Sequence, residues 1–103
     1  MYVVVLTTCG SNLEAEKIAR ELVERRLAAC VNILPIVSYY RWKGRLRRDR
    51  EYLLLAKTRS DAFPRLKRRI LALHSYQLPE IMSLKIDTGY RKYLDWLDAE
   101  VRV

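Results

Sequence analysis

Two segments of this chain, Tyr2-Val3-Val4-Val5-Leu6 and Leu53-Leu54-Leu55-Ala56, are apolar at successive positions. Side chains alternate across a strand, so a strand built from either segment is apolar on both faces. Whichever set faces a layer of helices, Tyr2, Val4 and Leu6 or Val3 and Val5, the other set needs cover too. Monomers rarely leave large apolar patches in water. The expectation is a sheet that hides one face under its own helices and the other against identical copies of the chain.

The rest of the chain supplies those helices and two more strands. Tyr2 to Thr8 reads as a strand buried on both faces, broken by Cys9-Gly10. Ser11-Asn12-Leu13-Glu14 matches a capping box, with Ser11 as the cap and Glu14 reaching back to it. Ala15, Ile18, Ala19, Leu22 and Val23 then mark one apolar stripe of a helix running to about Arg26. A second extended segment begins at Ala28, where Pro35 implies a bulge or an edge position, and continues from Ile36 to Trp42. Lys43-Gly44 forms the turn and Leu46 to Lys57 the returning strand. Ser60 is the expected cap of a second helix with Pro64 in its first turn and Phe63, Leu66, Ile70 and Leu73 on its apolar stripe, ending near His74. Glu80 to Asp87 reads as the last strand, and Tyr90, Tyr93, Leu94, Leu97 and Val101 mark a terminal helix. The order is βαββαβ plus a helix, an α+β ferredoxin-like sandwich forming a single domain over residues 1–103.

The hairpin repeats the argument for assembly. A strand from Leu46 to Lys57 spans roughly 40 Å, whereas a helix of about 15 residues covers only about 22 Å. The long arm therefore overhangs its own helices, exposing a strand edge with Tyr39, Tyr40 and Trp42, the expected contacts with a neighbouring copy.

Composition sets the outer limits. No apolar run approaches the roughly 20 residues of a membrane span, and the amino terminus opens on a strand pattern without a basic leader, so the expectation is a cytoplasmic protein with no membrane partner. Cys9 and Cys30 are too few for a disulfide framework. The formal net charge is +8, and 14 of the 20 basic residues are arginine. Such a surface suits a heat-adapted protein as well as a phosphate-binding one.

Four blocks carry a family likeness. Leu27-Ala28-Ala29-Cys30-Val31-Asn32 comes first, then Ser38-Tyr39-Tyr40-Arg41-Trp42-Lys43-Gly44, followed by Glu51 with Leu53, Leu55, Lys57 and Thr58. His74-Ser75-Tyr76-Gln77-Leu78-Pro79-Glu80-Ile81 completes the set, with Tyr93-Leu94-Asp95-Trp96-Leu97 beyond it. In this order and spacing they resemble the CutA, or divalent-cation tolerance, family over the whole chain. The resemblance implies a cytoplasmic homotrimer packed like the PII signalling proteins, a role in the response to metal ions, weak copper binding in some members, and no enzymatic reaction. Two departures stand out. The family's His-Pro-Tyr block is His74-Ser75-Tyr76 here, without the residue that stiffens the loop. Thr7 and Leu73 occupy two positions that are copper ligands in some members, leaving His74 from that set.

Two constellations follow. His74 is the one histidine, so an imidazole metal site must use it, with a thiolate from Cys9 or Cys30; such donors suit copper or another divalent metal such as zinc. The second constellation is Trp42, Glu51, Lys57, Tyr76 and Glu80, which would line an inter-subunit cleft for a small anionic or amine ligand, or fix the register of the trimer through ion pairs. Binding of a small ligand or a partner protein at such subunit interfaces makes the chain a PII-like regulatory or adaptor protein with no metal role. Catalysis finds no triad, and Gly10, Gly44 and Gly89 are too isolated for a phosphate loop. An RNA-binding domain is the remote alternative, but Arg45 to Tyr52 lacks the glycine and aromatics of such domains, so no nucleic-acid partner is expected.

Overall fold

In the computed structural model, strands β1 (Tyr2–Cys9) and β3 (Arg45–Arg59) form the middle of a four-stranded antiparallel sheet, flanked by β4 (Ile81–Lys85) and β2 (Cys30–Trp42). Helices α1 (Asn12–Glu24), α2 (Phe63–Leu73) and α3 (Arg91–Glu100) complete the fold. The structure describes residues 1–102, so the last position of the expected 1–103 unit lies outside the described residues. No described helix is long and apolar enough to cross a membrane.

The apolar runs behave as alternation requires. Val3, Val5, Leu54 and Ala56 are at most 3 % exposed and pack with Ala15, Ile18 and Leu22 of α1 and Leu66 and Ile70 of α2. The opposite set, Val4, Leu6, Leu53 and Leu55, is only half-buried. Its neighbours on that face, Leu34, Met82 and Leu84, are exposed at 39 %, 49 % and 54 %. β1 is therefore buried on one face within the chain, not on both. Helix α3 covers one corner of the open face, where Leu97 and Val101 pack with Ala29, Ala62 and Tyr2.

Pro35 lies in an unbroken register opposite Tyr52, so it marks an edge strand and not a bulge. Beyond Tyr52 only β2 accompanies β3: residues 45–51 pair with residues 36–42 and with no other strand. The result is a two-stranded ribbon projecting from the sheet, with Tyr39 and Leu46 at 66 % and 70 % exposure. Lys43 and Gly44 both take positive φ at the turn, and Gly44 supplies the left-handed conformation at low steric cost.

Two helix starts differ from expectation. Ser11 caps α1, its Oγ accepting from the Glu14 amide at 3.2 Å, but the Glu14 carboxylate turns to Ser75 and leaves the capping box half-formed. Ser60 makes no side-chain cap; its amide donates to the Met1 carbonyl, and a 3₁₀ turn over Ser60–Ala62 leads into α2.

Candidate functional site

The end of β1, the start of α1 and the end of α2 meet at one edge of the core, which places Cys9, Glu14 and His74 together. One potential ligand atom from each lies within 4.8 Å of the others. Cys9 is fully buried, and its Sγ is 3.9 Å from His74 Nε2. Glu14 was hidden in the sequence because its spacing from Ser11 assigned it to the helix cap.

Hydrogen bonds define the state of this cluster. His74 Nε2 is 2.6 Å from the Thr8 carbonyl oxygen, which only accepts, so this nitrogen carries a proton. Nδ1 accepts from the Tyr76 amide at 3.0 Å. Both ring nitrogens are thus engaged by backbone, and these partners assign the neutral Nε2–H tautomer. Burial, helped by the negative charges of Glu14 and Glu51, pushes the Cys9 thiol up to about 12, so it is protonated near neutrality. Glu14 accepts from the Ser75 amide at 2.8 Å and from its hydroxyl at 3.1 Å. Proline could not donate that amide hydrogen bond. The loop that lacks a stiffening proline is tied down by serine instead.

Thiol, imidazole and carboxylate fit a soft or borderline cation by donor type. They fit it weakly as arranged, because ligation must expel the thiol proton and release Nε2 from Thr8. Cys30 stands apart from this group. It pairs with Lys57 along β3, five positions from the Tyr52 that pairs with Cys9, and has the opposite face parity. Its Sγ lies 4.0 Å from Asn32 Oδ1.

A second feature adjoins the first. A cleft of about 620 Å³ opens between the ribbon and the α2–β4 loop, and four of the five expected cleft residues line it: Trp42, Glu51, Tyr76 and Glu80. Tyr39 and Tyr40 line it too. Glu51 is only 7 % exposed, and its carboxylate accepts from the Tyr76 hydroxyl at 2.6 Å. Burial and that carboxylate raise the Tyr76 phenol well above its usual range. Gly10 permits the arrangement, since a methyl group there would sit 3.1 Å from the Tyr76 hydroxyl. The Tyr76 ring lies 4.8 Å from that of His74, so one loop anchors both features. Lys57 shares a strand face with Glu51 but does not line the cleft; its Nζ lies 6.0 Å from the Tyr93 ring centroid, beside α3.

Comparison with known proteins gives a consistent result. Residues 3–100 match a family model described as CutA1 divalent ion tolerance protein. A divalent-cation tolerance protein CutA from Thermus thermophilus is 57 % identical over 95 residues, covering 91 % of this chain and 92 % of the relative. The solved structure from that organism superposes with a TM-score of 0.96 at 53 % identity, covering 99 % and 100 % of the two chains. A structure described as the periplasmic divalent cation tolerance protein CutA from Archaeoglobus fulgidus gives 0.97 at 40 % identity, with 99 % and 100 % coverage. Pyrococcus horikoshii CutA, crystallised in the presence of 3 M guanidine hydrochloride, gives 0.93 at 36 % identity, with 97 % and 99 % coverage.

Proposed function

This chain belongs to the CutA1 divalent ion tolerance family, and on that premise we propose that it acts as a homotrimer that takes up a soft or borderline divalent cation weakly at Cys9, Glu14 and His74. The observation that carries the metal reading is the convergence of three chemically suited donors within 4.8 Å. Binding is coupled to proton release from Cys9, so affinity rises with pH. No reaction is assigned: the histidine is spent on backbone partners and the Cys9 thiol is protonated, so this cluster holds no activated nucleophile.

The uncovered sheet face supports the trimer, and the projecting ribbon offers Tyr39, Tyr40 and Trp42 as contacts with the neighbouring copy. The +8 arginine-rich surface, together with a relative that crystallised in 3 M guanidine hydrochloride, supports a heat-resistant assembly. Two free thiols are in keeping with a cytoplasmic location.

Calorimetric titration with copper(I), copper(II) and zinc tests the metal reading on the parent, Cys9→Ser and His74→Ala proteins. The expected result is weak binding that strengthens above neutral pH and is lost in both variants. Equal binding by all three proteins removes the metal from this site. A second reading rests on the buried Glu51 carboxylate in its aromatic cleft, which suits a regulatory protein that binds a small ligand there without metal. A small amine bound by the parent and lost in Glu51→Gln, with no metal bound by either protein, favours this second reading.

A further inference from the structure

Part of the basic charge of this chain sits where local forces disfavour it. Within α2, Arg65, Lys67, Arg68 and Arg69 occur without a single acidic residue. Arg65, Arg68, Arg69 and Ala72 follow the i, i+3, i+4, i+7 spacing of one helix face. Like charges at such spacings repel by a few tenths of a kcal/mol per pair. Arg65 also sits near the helix amino terminus, where the macrodipole disfavours a cation, and the last turn, where cations help, carries none.

The same face borders a pocket of about 250 Å³ lined by Arg25, Leu27, Arg65, Arg68, Arg69 and Ala72. One carboxylate reaches two of these four guanidinium groups. Glu21 Oε1 accepts from Arg25 Nε at 3.0 Å and from Arg69 Nε and Nη2 at 2.9 and 2.7 Å. Those bonds hold its carboxyl below the usual range, the Arg69 contribution being the largest. Glu21 thereby fixes the orientation of two arginines while neutralising one charge of the four. Arg65 and Arg68 have no acidic partner within salt-bridge distance among the described residues.

From this arrangement we propose that the α1–α2 pocket is a binding site for a small phosphoryl dianion, held by Arg65 and Arg68 with Arg25 and Arg69 beside them and the attached group lying over Leu27 and Ala72. Guanidinium forks match phosphate oxygens two at a time, and a dianion relieves the repulsion that the single carboxylate leaves. A low-volume pocket with a short apolar floor suits a small anion better than an extended polymer. The site lies on the helix-bearing side of the sheet and uses no residue of the Cys9–His74 cluster or of the Glu51 cleft.

Isothermal titration with pyrophosphate and with inorganic phosphate, at fixed ionic strength set by sodium chloride, tests it on the full chain. The variants are Arg65→Gln/Arg68→Gln, Arg65→Lys/Arg68→Lys, and a control pair on the ribbon, Arg45→Gln/Arg50→Gln. Pyrophosphate should bind the parent and the ribbon control equally. It should bind the Gln pair at least about tenfold more weakly, the order expected for losing a charge-assisted contact, with the Lys pair in between. Circular dichroism should be unchanged, since both arginines are exposed. Equal binding by the Gln pair overturns the proposal, and so does an equal loss in the ribbon control, which signals diffuse charge. A single-stranded RNA that binds this face when pyrophosphate does not also overturns it.

Discussion

The two faces of the central sheet share a composition and differ in fate. On one, Leu54 and Val5 are fully buried beneath α1 and α2; on the other, Leu53 and Leu55 are only half-buried, and Leu84 and Met82 stay about half exposed. The residues alternate along the same strands, so neither propensity nor hydrophobicity distinguishes them. Only the count of helices does: two cover the first face, while α3 covers one corner of the second. An apolar residue is thus buried in the core or left on the open face according to the direction its strand parity gives it.

The largest effect that tests this contrast belongs to the covered face. Leu54→Ala removes a fully buried side chain from the centre of the core. It should lower stability by about 2–5 kcal/mol, as cavity-forming substitutions do. Chemical denaturation should record this as a lower midpoint with an unchanged slope, and light scattering should still return the mass of the assembly. A loss below about 1 kcal/mol would mean that the core closes around the gap far better than close packing allows.

The open face should respond in the opposite sense. Leu84→Ser changes a residue that is 54 % exposed within the chain, so the fold itself should lose less than about 1 kcal/mol. Assembly should weaken instead, and light scattering of the parent and variant at micromolar concentration separates the two effects. The expected parent mass is a multiple of 12.2 kDa, with the variant shifted toward the single chain. A well-folded parent that returns 12.2 kDa breaks the comparison, because the open face would then be an ordinary surface.

The sequence made the element order readable because strand parity and helix periodicity are local signals. Val3, Val5 and Leu54 belong to strands, and Ala15, Ile18, Leu66 and Ile70 to helices, without knowledge of their partners. What escaped depends on distant segments. Glu14 has the spacing of a capping residue from Ser11, yet its carboxylate goes to Ser75, 61 positions away. Ser60 has the type of a helix cap, but a 3₁₀ turn intervenes before α2. His74 and Cys9 were identifiable as donors by type alone, while the choice between Cys9 and Cys30 required the register of β1 and β2 against β3. The same limit explains Lys57, whose parity with Glu51 was correct but whose distance along β3 was not a parity question.

Lys57 therefore gives the smallest and most discriminating effect. It lies on the open face at the end that α3 covers, its ammonium 6.0 Å from the Tyr93 ring centroid. A partly exposed cation–aromatic contact of this kind contributes about 0.5–1 kcal/mol. Lys57→Gln removes the charge on a shorter stem, so its cost should be of that order, and Tyr93→Leu should make the second substitution nearly silent. A double-mutant cycle followed by denaturant unfolding isolates the coupling from the individual losses. If the coupling is absent and Lys57→Gln instead weakens a ligand of the Glu51 cleft, the assembled protein brings Lys57 of one copy to the cleft of another. The uncovered face would then build a binding site as well as an interface.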